Sequence, residues 1–144
     1  MLNALVIFPL ILIIIGLNIP IGVSSILAMV LVCIILLIGS AFAFIKYRDL
    51  KNETRNIHHY ERLFQGLRWI VPLMLLAVGL LIYLQVQDTG RGNLLVTGLL
   101  YLFAVLEYIN YFHFQLMYDN HADLQYLASN KMLKQGLIVR EFGW

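Results

Sequence analysis

Residues 23–45 read VSSILAMVLVCIILLIGSAFAFI, 23 consecutive positions without a charged side chain. A bilayer core of about 30 Å needs roughly 20 apolar residues of helix to cross it. This stretch is long enough to do so, and a soluble core helix has no need of so much uniform apolarity. The run ends in Lys46, Tyr47 and Arg48, an aromatic and two cations of the kind that mark a membrane interface.

Working outward, three further runs have the same character. Leu2 to Leu17 is interrupted only by Asn3, Pro9 and Gly16, and with Asn18 and Ile19 it makes a span of about 2–19 in which Pro9 loosens the helix. It lacks the basic start of a secretory signal, and Asn18-Ile19-Pro20 is a poor cleavage site, so it is read as a retained span. Asn18 to Gly22 is then a tight turn that pairs this span with the next as a hairpin. A third span covers about 67–86, opening on Arg68 and Trp69 with Pro72 in its first turns. The loop Gln87-Asp88-Thr89-Gly90-Arg91-Gly92-Asn93 has turn chemistry and leads into a fourth span, about 94–116.

Composition agrees with this reading. Of 144 residues, 61% are hydrophobic and 12% charged, against about 45–50% and about 25% in an ordinary soluble domain. Four spans leave no length for a separate soluble core, so residues 1–144 are read as one membrane domain. The expected fold is all-α, a four-helix transmembrane bundle of two hairpins. The net charge of +2 does not point to nucleic acid. Cys33 is the single cysteine, which excludes an internal disulfide.

The segment 46–66 carries Leu50, Ile57, Tyr60, Phe64 and Leu67 at spacings of seven, three, four and three. That is the period of an amphipathic helix lying on the membrane surface. The same residues also fit a solvated connector that extends the third span. In the tail, 117–144, Leu124, Leu127 and Ala128 suggest a helix ending at Gly136, with the last eight residues extended or interfacial.

Sorting cations by loop gives an orientation. Lys46, Arg48, Lys51, Arg55, Arg62, Arg68, Lys131, Lys134 and Arg140 fall on one side of a four-span arrangement, and Arg91 alone on the other. The positive-inside rule makes the nine cytoplasmic, with both termini, and a bacterial cytoplasmic membrane is the preferred location. The sequon Asn52-Glu53-Thr54 is then a chance match on the wrong side.

Glu107 is the one ionisable side chain deep inside a span, and at that depth it must be protonated, paired or facing a cavity. On a helical wheel with Glu107 at zero, Asn110 falls at about 300°, Tyr111 at about 40°, Tyr118 at about 20° and His121 at about 320°. Asp119 and Asp123 continue the stripe beyond the span. Leu102, Val105, Ile109, Phe112 and Leu116 form the opposite, lipid-like side. The stripe Glu107, Asn110, Tyr111, Tyr118 and His121 is therefore the candidate binding surface. Glu107 and His113 are the candidate catalytic groups, His113 lying on the shoulder between the two faces.

Weaker signals stand beside these. His58, His59 and Glu61 share a His-x-x-Glu spacing, but adjacent histidines in a charged segment are more often solvated than metal-bound, and no metal site is assigned. Ser24, Ser25 and Ser40 have no adjacent histidine. Gly39 and Ala43 are spaced for close helix contact. There is no nucleophile elbow and no phosphate-binding loop, and nothing calls for a cofactor. The expected function is that of an accessory or interaction subunit of a membrane complex or homo-oligomer in the lipid bilayer. The competing expectations are a compact enzyme or binder acting on a lipid or membrane-soluble substrate through Glu107, and a proton- or ion-coupled homo-oligomeric transporter.

Overall fold

The computed structural model describes residues 22–52, 56–85, 91–116, 125, 127–129 and 132–143. Over these residues the chain forms α1 (Val23–Asn52), a 3-10 turn (Asn56–Tyr60), α2 (Glu61–Gln85), α3 (Arg91–Phe112) and a short α4 (Leu137–Phe142). The only bridge between extended segments among the described residues joins Phe114 to Gln135. Three of the helices are long and apolar enough to span a membrane. The expected span over residues 2–19 lies outside the described residues.

Helix α1 packs chiefly on α3, and the two run parallel in a fixed register. Ser25 meets Thr97 near their starts, and Gly39 meets Tyr111 near the end of α3, each pair 72 positions apart. The seam residues are Ser25, Ala28, Val32, Ile35, Gly39 and Phe42 on α1, and Thr97, Leu100, Ala104, Glu107 and Tyr111 on α3. Spacings of three and four on both helices are those of ridges packed into grooves at a shallow crossing angle. Small side chains at Ala28, Gly39 and Ala104 let the backbones approach, which is how helices associate where lipid removes the hydrophobic drive between them.

Helix α2 runs antiparallel to both. Tyr101 of α3 donates from its hydroxyl to the carbonyl of Leu75 at 3.1 Å, and Tyr108 donates to the carbonyl of Arg68, also at 3.1 Å. Only a narrow line of α2 is buried, Phe64, Val71, Leu75 and Val78, while Ile70, Leu73, Leu76, Leu80 and Leu84 face outward.

The segment 46–66 is not one surface helix. Helix α1 continues through Lys46 and Arg48 to Asn52, and α2 begins at Glu61, six residues before the expected start of its span. The apolar period in this segment has another cause. Ile57 and Phe64 are buried against the bundle, whereas Leu50 and Tyr60 are exposed. Asp49, buried at the end of α1, accepts the Ile57 N–H at 2.6 Å and thereby ties the 3-10 turn to the helix.

The tail meets expectation at 125 and 127–129, which are helical, and departs from it elsewhere. Helix α3 stops at Phe112 rather than 116, and the N–H groups of His113 and Phe114 both turn back to the Ile109 carbonyl. The chain at 132–136 is not helical. Gln115 donates to the Lys134 carbonyl at 2.9 Å, and Gly136 donates to the His113 carbonyl at 2.8 Å, a two-bond clasp. Gly136 therefore opens a helix instead of closing one, and the last residues coil into α4. Helix α4 ends at Gly143, whose φ of 75° is the left-handed conformation usual at a helix C-terminus.

Helix α4 seals the same end of the bundle as the α1–α2 connection. Phe142 packs edge-on to Phe42 at 6.2 Å and against Phe64 at 5.9 Å, with His58 at its rim. Glu141 forms an ion pair with Lys46. Lys46, Arg48, Lys51, Arg62, Arg68, Lys134 and Arg140 all belong to this tail end, and among the described cations only Arg91 belongs to the other.

Candidate functional site

Two polar groups lie at opposite ends of the α1–α3 seam, and a third lies between α2 and α3. At the end where α1 and α3 begin, Ser25 donates to the Asn93 side-chain oxygen and touches the Thr97 hydroxyl. Thr97 also bonds to the Asn93 carbonyl one turn back at 2.8 Å. Ser25 and Thr97 are buried, so these hydroxyls spend their bonding capacity within the fold. The i, i+4 spacing of Asn93 and Thr97 is visible in the sequence. Their partner Ser25 is not, because it depends on the helix register.

At the tail end, Glu107 occupies a seam position one turn after Ala104 and one before Tyr111. It is half-buried. Its carboxylate is hydrogen-bonded by the Tyr111 phenol and by the Asn110 amide. Asn110 is buried and has a second task, since its side-chain oxygen accepts the Leu116 N–H at 2.8 Å. Tyr111 is buried with its ring on the bare backbone of Gly39, where a Cβ would stand 2.6 Å from the phenol oxygen. The other carboxylate oxygen, Oε2, is buried and has no hydrogen-bond partner among the described residues.

The sequence-derived stripe is thus assembled in part. Glu107, Asn110 and Tyr111 stand together as the wheel requires, whereas Tyr118 and His121 lie outside the described residues. His113 does not join them. It sits on the α2 side, its Nε2 3.2 Å from the Tyr108 hydroxyl and its ring edge-on to Tyr108 at 5.2 Å. Because the Tyr108 hydroxyl donates to Arg68, the imidazole is the donor in this contact. Burial and the nearby Arg68 charge both hold the His113 pKa below its ordinary value of 6.5. Phe112, placed on the lipid-like face by the wheel, is fully buried and stacked beside Tyr108. The sequence marks Arg68 only as opening a span, and it carries no signal that would match Tyr108 to the Arg68 carbonyl or Glu141 to Lys46.

His58 and His59 are both exposed. No group of three or more His, Cys, Asp or Glu side chains gathers at metal-binding range among the described residues. The chain has no match among known protein families, curated proteins or solved structures.

Proposed function

We propose that this is a small multi-pass protein of the cell membrane that acts as an accessory or interaction subunit, within a larger complex or a homo-oligomer. Its basic end faces the cytoplasm. In this reading the run at 2–19 supplies a fourth span, giving two hairpins with both termini on the cytoplasmic side.

The observation that carries the reading is the fate of polar groups inside the apolar helices. A catalytic centre or conduction path needs several of them converging on a common space. Here Ser25, Asn93, Thr97, Tyr101, Tyr108 and Asn110 are each engaged in bonds that fix one helix against another or end a helix. What the bundle presents outward is apolar side chain, most extensively along α2. Such a surface suits lipid and the helices of a neighbouring subunit.

One observation favours a second reading. The unpartnered Oε2 of Glu107 is what an enzyme or binder of a membrane-soluble substrate, or an ion-coupled oligomer, would keep available. Native mass spectrometry of the full chain from mild detergent separates the subunit reading from a monomeric enzyme or binder. A second polypeptide in fixed ratio, or several copies of this chain, is expected. A lone monomer overturns the subunit reading. A monomer carrying a defined lipid that is lost in Glu107→Gln supports the second.

A further inference from the structure

We propose that Glu107 is a proton-binding site and that its proton keeps the C-terminal clasp closed. The inference is independent of what the chain partners with.

Oε2 of Glu107 is the one buried side-chain oxygen or nitrogen without a partner among the described residues. Across the seam at the same register is Ile35, fully buried and unable to donate. An ionised carboxylate in such a place retains charge on an oxygen with nothing to solvate it, which apolar surroundings penalise heavily. Water or a metal ion would need room that the covered oxygen does not offer. A proton needs none. Of the titratable groups near the site, Tyr111 on its own helix bonds the carboxyl group, Tyr108 turns to α2, and Cys33 on α1 lies two positions from Ile35, about 200° around that helix and so off the seam. Arg68 lies beside Tyr108 and His113, and Lys46 is engaged by Glu141.

The coupling follows from the two residues that hold the carboxyl group. Asn110 bonds Glu107 with its amide and the Leu116 N–H with its oxygen, so it connects the site to the segment 113–116 that forms one side of the clasp. Tyr111 bonds Glu107 through its phenol, while its carbonyl oxygen lies 2.7 Å from where a Gly136 Cβ would be. Gly136 is in turn bonded to His113. Loss of the proton places a charge that draws the Asn110 and Tyr111 donors toward itself, and neither can shift without disturbing the backbone on which 134–136 rests.

The test uses the full chain in lipid nanodiscs over a pH series. Infrared difference spectra report the carbonyl band of a protonated carboxylic acid, and amide hydrogen exchange reports protection of residues 134–143. Glu107→Gln serves as the permanently neutral form. The wild type is expected to show a carboxylic acid band that Glu107→Gln lacks. Exchange at Gly136 and Arg140 should rise over the variant by up to about tenfold per pH unit below the midpoint of that band, the limiting slope for one linked proton, and level off once the band has titrated away. Tyr111→Phe preserves the ring on Gly39 and removes one bond to the carboxyl group. It should move the midpoint of the band with the clasp still protected at the acidic end, which keeps the test decisive if Glu107→Gln does not fold. A wild-type spectrum with no such band overturns the proposal, as does equal clasp protection in wild type and Glu107→Gln at every pH.

Discussion

Tyr111 rests its ring directly on the backbone of Gly39, 14 residues further along both helices than the contact between Ser25 and Thr97. A methyl group at Gly39 would fall inside the phenol ring, and the ring is held from behind by its bond to Glu107. Alanine normally stabilises a helix interior by up to about 1 kcal/mol over glycine, and forced overpacking costs about 1–3 kcal/mol. At this position the second effect wins.

Gly39→Ala is therefore expected to lower stability, whereas Gly98→Ala, where a Cβ meets nothing within 4 Å, is expected to leave it unchanged or raise it. Unfolding in mixed micelles followed by circular dichroism measures both. Equal stability of the two variants would show that the seam is looser than described.

Asp49 makes a second, separable prediction. Its buried carboxylate satisfies the Ile57 N–H, and alanine there would leave that N–H buried and unpaired at a cost of about 1–3 kcal/mol. Asn, which retains an acceptor oxygen, should recover most of the loss. Exchange of the Ile57 amide is the specific readout, and it should quicken in Asp49→Ala well before the three long helices unfold.

His113 should titrate below 6.5, because burial and Arg68 both disfavour its charged form. The sign is that of a base with a lowered folded pKa. The folded state binds fewer protons than the unfolded one, so this group's contribution is lost as pH falls through 6.5 toward the folded value. Substituting Arg68→Gln removes one of the two causes and should move the midpoint back up. An NMR titration of the imidazole in both forms measures the shift, and an unchanged midpoint would remove Arg68 from the account.

Much of this was legible in the sequence where a single helix carries the information. The charge-free run from Val23 announces α1, and the stripe of Glu107, Asn110 and Tyr111 follows from turns of 100° along one axis. What depends on register between helices was not legible. Gly39 could be flagged as small but not matched to Tyr111, and Tyr108 could be counted as aromatic but not matched to the Arg68 carbonyl. The segment after Lys46 left two readings open for a related reason, and the structure agrees with the one in which it extends the third span. Its apolar period is real, yet Ile57 and Phe64 satisfy it against α1 and Phe142, which the period cannot distinguish from a membrane surface. The clasp left the least trace, since its bonds are between backbone groups that every residue type carries.

The parallel seam has a mechanical corollary. Its two pinned contacts are separated by 14 residues on each helix, about 21 Å of rise, well within a hydrocarbon core of about 30 Å. A helix pair fastened at two points can neither slide nor counter-rotate between them, so α1 and α3 behave as one stiff rod of set length. When the surrounding bilayer thickens or thins, that rod has to lean as a unit, and the adjustment is passed to whatever is fixed to its ends, the clasp first of all.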